Sequence, residues 1–207
     1  MTQLSPCVML FARTPLAGRV KRRLAADIGE ERALQAHRML VEHALRQLDP
    51  LQRVSCLREL WVTSHLELPT VREWARAWQA RIREQVGVDL GASMRHALHQ
   101  HIRMGRSAVL AGADVPGVDA ELVQEAFAAL QTHDVVIAPC EDGGYGLVGA
   151  GRPVGELFDG VDWGTSRVLE QTLERAEAAR LSVFQLRAVW DVDTLPDWQR
   201  FQAEFDA

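Results

Sequence analysis

Lysine is almost missing from this chain. Lysine and arginine together number 23, and Lys21 is the only lysine among them. A lysine kept in such a chain indicates a position where a compact ammonium fits and a planar guanidinium does not, for example against a phosphate oxygen. Positive charge is also outweighed overall, because the formal net charge is −5. This balance argues against a nucleic-acid-binding protein, which needs basic surface to displace counterions from phosphates.

Cysteine and long apolar runs are scarce as well. Cys7, Cys56 and Cys140 are widely spaced and form no CxxC or Cys/His pattern, so neither a disulfide framework nor a zinc site is indicated. The apolar run 8–12 is much shorter than a membrane span or the core of a signal peptide. We therefore expect a cytoplasmic protein with no membrane span, in which the whole chain is the mature form.

What is present is the composition of one globular domain, which we expect to cover residues 1–207, with 47% hydrophobic and 25% charged residues. Short apolar runs alternate with helical patterns, which predicts an α/β fold: a mostly parallel sheet with helices on both faces. The predicted strands are 7–12, 59–64, 81–85, 107–114, 134–139 and 182–186. The predicted helices are 30–48, 70–80, 91–104, 119–130 and 165–180. The runs 107–112 and 134–138 are nearly all apolar and predict the middle of the sheet, whereas the Gly-rich span 143–164 predicts an irregular insertion.

Ligands of open α/β sheets lie at the carboxyl ends of the strands, and the first such segment is "FARTPLAGRVKRRLA", residues 11–25. It has the ingredients of a phosphate-binding loop: Gly18 for close backbone approach, Lys21 and several arginines for charge, and a helix that begins near Lys21. The segment lacks both GxxxxGK[ST] and GxGxxG. A solvated basic helix start remains the alternative.

Carboxylates follow two other runs. Asp114 lies in "AGADVP", where a turn or cap residue before Pro116 is the simpler interpretation. Asp191 and Asp193 alternate in "WDVDTLPDW", and Thr194 with Asp197 is typical of a capping box that accounts for neither of them. Together, carboxylates at neighbouring strand ends predict a magnesium-type site, because Mg²⁺ takes one or two carboxylates with water and substrate phosphates.

The segment "CEDGGYGLVGA", residues 140–150, contains Glu141, Asp142, Gly143, Gly144 and the only tyrosine. The glycines alone are consistent with a tight turn into another strand, but the two acids are then unexplained. By contrast, the histidines in "RHALHQHIR" are more typical of a solvated helix face than of a metal site, and the tryptophan pair at positions 74 and 78 is more typical of core or subunit contacts.

Taken together, six segments resemble a bacterial family of type A glycosyltransferase-like proteins, some of them called radical-SAM/selenodomain-associated transferases. The resemblance spans nearly the whole chain. The chain is more distantly similar to cofactor guanylyltransferases, and all of these share a nucleotide-diphospho-sugar transferase fold. The segments are "FARTPLAGRVKRRLA", "DLGASMR", "LAGADVP", "VVIAPCEDGGYGLVG", "VDWGTSRV" and "DVDTLPDW".

The resemblance implies residue roles and a cofactor. The first loop would wrap the nucleotide phosphates with Lys21 as the matching lysine, while Asp114 and Asp193 would bind Mg²⁺ or Mn²⁺. The family usually has threonine where this chain has Arg22, so the phosphate contacts should differ in detail. The residues expected to contact the nucleotide are Arg13, Gly18, Lys21, Arg23, Gly143 and Gly144.

These observations favour a metal-dependent transferase that uses an activated nucleotide, with Lys21 and the cation neutralising charge. Asp142 or Glu141 would orient or deprotonate the acceptor. Two uncompensated acids favour a neutral hydroxyl acceptor, hence a glycosyltransferase with a nucleotide sugar as donor. A nucleotidyltransferase using a nucleoside triphosphate and a phosphorylated acceptor is the alternative, and a nucleotide- or partner-binding module without chemistry is the third.

Overall fold

The computed structural model describes residues 4–205 and contains one seven-stranded sheet, so the predicted extent of 1–207 reaches beyond the described residues at both ends. The predicted α/β fold class is confirmed, and the six predicted strands are all present within a few residues of their expected bounds. The strands are β1 (Cys7–Ala12), β2 (Leu57–Val62), β3 (Arg81–Glu84), β4 (Ala108–Gly112), β5 (Val135–Pro139), β6 (Tyr145–Ala150) and β7 (Val183–Gln185).

Helices connect most of these strands. The five predicted helices are present, and the structure adds one helix before the first of them and one after the last. A short 3₁₀ helix, Asp49–Arg53, precedes β2. The helices are α1 (Arg22–Ile28), α2 (Glu30–Gln47), α3 (Pro69–Ala77), α4 (Leu90–Ile102), α5 (Ala120–Ala129), α6 (Val168–Ala178) and α7 (Leu195–Phe205).

Strand β6 corrects the expectation that 143–164 is wholly irregular. It runs antiparallel between β4 and β5. Its glycines hid it from the sequence patterns, yet the packing requires them: a Cβ on Gly149 would come within 2.8 Å of Val109 and Val136 side-chain atoms. The segment is therefore a hairpin return strand followed by a loop.

The strand order is β3-β2-β1-β4-β6-β5-β7. The prediction for the run 107–112 is right, since β4 is the central strand. The prediction for 134–138 is wrong, because β6 inserts next to β4 and displaces β5 to the sixth position. Helices cover both faces at β5 as well, so its apolar sequence reports two-sided burial rather than a central place.

Alternation along β1 shows why the sheet is covered on both sides. Successive strand residues point to opposite faces, and all six residues of β1 are buried. The even-numbered residues, such as Leu10, pack in one core with side chains from α2, α3 and α5. The odd-numbered ones, such as Met9, pack in a second core with α4 and α6. A third, smaller core joins α1, α2 and α7.

The direction of the strand order reverses between β1 and β4, which are parallel neighbours. Such a reversal opens a crevice at the carboxyl ends of the strands, where ligands of open α/β sheets bind. No helix within the described residues has the length and apolar character needed to cross a bilayer.

Candidate active site

A cleft of about 810 Å³ opens at this reversal. Its walls come from the first loop after β1, the segments after β4 and β5, the start of α4 and the stretch before α7. Five basic side chains from the first loop and the start of α1 line it: Arg13, Arg19, Lys21, Arg22 and Arg23. Five aspartates line it as well: Asp89, Asp114, Asp142, Asp191 and Asp193.

Lys21 lies at the floor of the cleft. Its ammonium donates to Asp114 Oδ2 at 2.7 Å and to the Val192 carbonyl at 2.5 Å, and its side chain is only 6% exposed. Burial alone would raise the pKa of Asp114, but the adjacent ammonium outweighs it and lowers that pKa, so the carboxylate stays ionised. A compact point charge with rotatable donors suits this place better than a planar guanidinium.

The backbone of the first loop is anchored from behind. His37 on α2 is buried and its Nε2 lies 2.8 Å from the Arg13 carbonyl. Burial lowers the pKa of His37 to about 4, so the ring is neutral and Nε2–H is the donor, since a carbonyl can only accept. Thr14 adds a hydroxyl bond of 2.6 Å to the Ser64 carbonyl. Sequence analysis missed both residues, because a histidine on an amphipathic helix carries no signal for what it binds.

Asp193, the predicted second metal ligand, lines the cleft together with Asp191. Its Oδ2, however, accepts a bond of 2.9 Å from Arg23 at an exposed position. Asp191 is instead the residue that approaches the other carboxylates, held there by the Val192 N–H, which donates to the Asp114 carbonyl at 3.0 Å. The alternation in "DVDT" identified both positions. Both line the cleft, and Asp191 is the one whose carboxylate lies within 4.8 Å of ligand atoms of Cys140 and Asp142.

The turn after β5 positions Asp142. The Cys140 N–H donates to the Gly144 carbonyl at 2.9 Å, and the Gly143 N–H returns a bond of 3.1 Å to the Cys140 carbonyl. Within this turn, the Gly144 N–H donates to Asp142 Oδ1 at 2.8 Å. Asp142 is exposed at the mouth of the cleft with one oxygen held and the other available.

Glu141, predicted as a candidate for acceptor activation, is not among the described residues that line the cleft. The turn directs its side chain outward, where Oε2 accepts a bond of 3.0 Å from Arg200. The sequence could not show that partner, which lies 59 positions away. Of the two acids predicted to act on the acceptor, Asp142 therefore lines the cleft and Glu141 does not.

The three glycines expected to contact the nucleotide lie in different places. Gly18 and Gly143 are absent from the described cleft lining, whereas Gly144 belongs to it. Gly18 has φ +69° and lies against the Glu30 carboxylate, and a Cβ on Gly143 would come within 2.2 Å of the Ser166 carbonyl oxygen. Gly18 and Gly143 are thus at loop positions with positive φ, outside the lining.

An unneutralised cluster of acids forms the opposite wall. Ligand atoms of Cys140, Asp142 and Asp191 all lie within 4.8 Å of one another. Burial raises the pKa of Asp191 to about 6, with further contributions from the negative charges of Asp142 and Asp114. Carboxylates that repel each other in a cleft fit a divalent cation, because Mg²⁺ and Mn²⁺ prefer carboxylate oxygens and complete their shell with water and phosphate.

An aromatic wall completes the cleft. Trp163 lines it, and its ring packs so tightly on the first turn of α4 that a Cβ on Gly91 would lie 2.4 Å away. Arg95 on α4 holds the same loop by donating to the Gly155 carbonyl at 3.2 Å and pairing with Asp159. Sequence analysis assigned Trp163 no role of its own.

Two structural predictions are confirmed around the site. The Thr194 N–H donates to Asp197 Oδ2 at 2.8 Å, which is the half of a capping box in which the acid accepts from the backbone of the cap residue. The Thr194 hydroxyl donates to the same oxygen at 2.6 Å. Trp74 and Trp78 are 3% and 1% exposed in the core.

No curated protein matches the chain significantly. A solved structure from Desulfovibrio desulfuricans G20, described as a candidate nucleotide-diphospho-sugar transferase, is 32% identical, with a TM-score of 0.84. That match covers 98% of this chain and 89% of the other.

More distant structures share the fold. A cytidylyltransferase from Leptospira borgpetersenii is 11% identical, with a TM-score of 0.61, and the match covers 97% of this chain and 86% of that one. A protein from Mycobacterium tuberculosis H37Rv, solved in complex with manganese, is 17% identical, with a TM-score of 0.58, covering 97% of this chain and 100% of that one. The expected nucleotide-diphospho-sugar transferase fold is confirmed, and the relatives with a described activity are transferases.

The family itself is shown by a match over most of the chain. Residues 44–165 fit the model of a family described as "Uncharacterized protein conserved in bacteria". This match extends from α2 into the loop that carries Trp163, and so includes Asp114 and the 140–144 turn. The chain belongs to this bacterial family, DUF2064.

Proposed function

We propose that this protein is a divalent-cation-dependent transferase that binds a nucleotide-activated donor in the cleft, and that the donor is a nucleotide sugar. One observation carries the proposal: the five basic side chains of the first loop and the Asp142–Asp191 pair line the same cleft. Basic groups on one side and carboxylates on the other match a phosphate chain bridged to a cation.

The first loop supplies the phosphate contacts. Lys21 is held rigidly by two hydrogen bonds to Asp114 and Val192, so its position needs no reorganisation when a ligand arrives. The neighbouring arginines are more exposed, as the 72% exposure of the Arg23 side chain shows. Exposed guanidiniums can reach outer phosphate oxygens in bidentate geometry. Lys21 therefore sets the charge at the floor, and the arginines adapt to the phosphate chain.

The carboxylates supply the cation site. Asp142 and Asp191 would hold Mg²⁺ or Mn²⁺, with Asp114 beside them and kept ionised by Lys21. When bound, the cation would neutralise charge that develops on the leaving phosphate. The relative solved with manganese has the same fold, which supports this choice of metal without identifying the ligands here.

Charge balance favours a neutral acceptor. One divalent cation balances Asp142 and Asp191, Lys21 balances Asp114, and Arg200 balances Glu141. This side of the cleft then offers no surplus positive charge to an anionic acceptor. A hydroxyl acceptor would donate its hydrogen bond to exposed Asp142. Its oxygen would attack the anomeric carbon as the bond from that carbon to the phosphate oxygen breaks. The hydroxyl proton would pass to Asp142, and the nucleoside diphosphate would leave toward the first loop.

Nucleotidyl transfer is the second candidate, and the number of basic groups favours it. Five basic side chains suit a triphosphate at least as well as a diphosphate, and a cytidylyltransferase shares the fold. In this reaction an acceptor phosphate would attack the α-phosphorus and release pyrophosphate. The two reactions differ in the product that leaves.

Product analysis distinguishes these candidates. The protein is incubated with Mn²⁺ and a panel of nucleotide sugars, and separately with nucleoside triphosphates and phosphorylated acceptors. We expect nucleoside diphosphate release from a sugar donor, abolished in Asp191→Asn and retained in Glu141→Gln, whose carboxylate pairs outside the cleft. Pyrophosphate release from a triphosphate would support the second candidate, and no nucleotide binding with any cation would contradict both.

A further inference from the structure

Cys140 is the one cleft residue of the chain's three cysteines. It is 8% exposed and lines the cleft. The other two thiols donate weak hydrogen bonds: Cys7 to the Val8 carbonyl at 3.8 Å and Cys56 to the Leu51 carbonyl at 3.6 Å. Among the described residues, Cys140 Sγ has no such partner. A thiol more than nine-tenths buried, unpartnered and beside two carboxylates is placed as a ligand atom would be.

We propose that Cys140, Asp142 and Asp191 together form a three-ligand site for a thiophilic divalent cation, with Zn²⁺ and Cd²⁺ preferred over Mg²⁺ and Mn²⁺. The inference rests on the proposed cation site of the same cleft and extends it, since hard cations use the two carboxylates and leave the thiol unused. A thiolate adds the soft ligand that distinguishes zinc from magnesium.

The geometry of the three groups is compatible with one ion. With metal–sulfur and metal–oxygen bonds of about 2.3 and 2.1 Å, two ligands in tetrahedral geometry lie about 3.6 Å apart. The three ligand atoms here lie within 4.8 Å of one another. Side-chain rotations that move the ligand atoms by up to about 1 Å close that difference. The fourth position stays open to water or substrate.

Backbone hydrogen bonds fix the positions from which the three ligand side chains project. Cys140 forms a parallel bridge with Val189, two residues before Asp191. The same turn fixes Asp142 through the Gly144 N–H. Each ligand is therefore attached to hydrogen-bonded backbone, which limits the entropy lost on binding.

Binding replaces a proton with a metal. A free thiol is protonated at neutral pH, so the sulfur of Cys140 carries a proton before a cation binds. Cation binding breaks the S–H bond, forms the metal–sulfur bond and releases the proton to solvent. The cation then offsets two of the three negative charges of the thiolate and the two carboxylates. A thiophilic ion would occupy the carboxylates that Mn²⁺ needs, so we expect Zn²⁺ to compete with Mn²⁺ and inhibit transfer.

Cadmium tests the site directly, because a cadmium–thiolate bond gives an ultraviolet charge-transfer absorption. The full chain is titrated with Cd²⁺, alongside Cys140→Ser and the matched control Cys56→Ser. We expect an absorption that saturates at an equimolar ratio in the wild type and in Cys56→Ser and is lost in Cys140→Ser. Competition should show Zn²⁺ affinity reduced by roughly 10- to 100-fold in Cys140→Ser, with Mn²⁺ affinity unchanged.

Three outcomes would overturn the inference. These are an absorption that persists in Cys140→Ser, no absorption in the wild type, or one lost only in Cys7→Ser, which would move the site to the buried group of Cys7, Glu59 and His101. If Mn²⁺-dependent nucleotide binding persists while the cadmium signal fails, the inference alone is wrong. If the cadmium signal appears but no nucleotide binds with any cation, the proposed function is wrong and the thiolate site stands.

Discussion

Within residues 4–205, two clusters bring a thiol and a carboxylate within 4.8 Å of each other, and they are in opposite electrostatic states. In the first, Glu59 is 1% exposed and accepts bonds from Trp61 Nε1 at 3.0 Å, His101 Nε2 at 3.0 Å and Arg83 Nε at 3.2 Å. Burial alone would raise the pKa of Glu59, but the bonds from His101 and Arg83 outweigh it and lower that pKa. The acid is buried, ionised and fully paired.

The second cluster lines the cleft and is not paired in this way. The carboxyl of Asp191 has a pKa raised to about 6 by burial and by Asp142 and Asp114, rather than lowered by donors. Buried polar groups that are satisfied contribute to the fold, whereas charges left uncompensated in a cleft indicate a ligand that compensates them. We therefore expect the pairing of an acid, rather than its burial, to separate a structural role from a functional one.

Removing the carboxylate of Glu59 should have the largest effect on stability. Glu59→Gln leaves buried donors of His101 and Trp61 without their ionic acceptor, and breaking such a group should lower the free energy of unfolding by about 3 kcal/mol. Urea unfolding monitored by tryptophan fluorescence measures this. Nucleotide binding well below the unfolding midpoint should be unchanged.

The pH dependence of stability provides the control for Glu59. Because its folded pKa is lower than the unfolded value of 4.5, its contribution is present above that value and is lost as the pH falls through the folded pKa. On acidification, the free energy of unfolding of the wild type should therefore fall toward that of Glu59→Gln. A difference between the two proteins that stays constant from neutral to acid pH would contradict this account.

Removing one carboxylate of the cleft should change stability little and nucleotide affinity strongly, the reverse of Glu59→Gln. Asp191→Asn relieves repulsion from Asp142 and Asp114, so the free energy of unfolding should stay within about 1 kcal/mol of wild type or rise. Cation-dependent nucleotide affinity should fall roughly 100-fold, the upper part of the range seen when metal sites lose support. Calorimetric titration with and without Mn²⁺ measures both. A large loss of stability would instead indicate that Asp191, like Glu59, has a structural role.

The lone lysine should show an intermediate effect. Lys21→Ala removes a charge from the cleft floor and leaves Asp114 unpaired, so affinity for nucleoside diphosphates should fall about tenfold, while affinity for the nucleoside changes little. Lys21→Arg should not restore it, because the space between Asp114 and the Val192 carbonyl accommodates an ammonium at 2.7 and 2.5 Å. Equal losses for nucleoside and nucleotide would contradict the phosphate role.

Asp193 should show the smallest effect. Its ion pair with Arg23 is exposed at 72% and 36%, and such pairs contribute about 0–1 kcal/mol. Asp193→Asn should change Mn²⁺ affinity less than about threefold. The measurement is the same calorimetric titration, and a loss as large as that of Asp191→Asn would restore Asp193 as a metal ligand.

The fold could be predicted from the sequence where burial is two-sided. Runs such as those of β1 and β4 are apolar on both faces and are unambiguous. Strand β6 was missed because two of its six residues, Gly146 and Gly149, have no side chain to show alternation, although valine side chains packed against them require glycine there. The alternating side-chain pattern that predicts a strand is therefore lost where close packing requires glycine.

The site could be predicted as a set of segments but not as a set of contacts. Position after a strand placed Lys21, Asp114 and Asp142 at one edge of the sheet. It could not decide between Asp191 and Asp193, because Arg23, which pairs with the second, is on α1 at the other end of the chain. Nor could it show that Arg200 draws Glu141 outward. Partners 59 and 170 positions away decided these roles, and only the fold brings them together.

Manganese binding in the presence of a nucleotide tests the central claim most directly. Electron paramagnetic resonance of free Mn²⁺ is followed with and without a nucleoside diphosphate, for wild type, Asp191→Asn and Glu59→Gln. Both variants replace an acid with its amide, the first in the cleft cluster and the second in the buried cluster. We predict that the nucleotide strengthens Mn²⁺ binding in wild type and in Glu59→Gln, and that Asp191→Asn loses this binding. Equal Mn²⁺ binding by all three proteins, or loss only in Glu59→Gln, would contradict the assignment of the cleft acids to the cation.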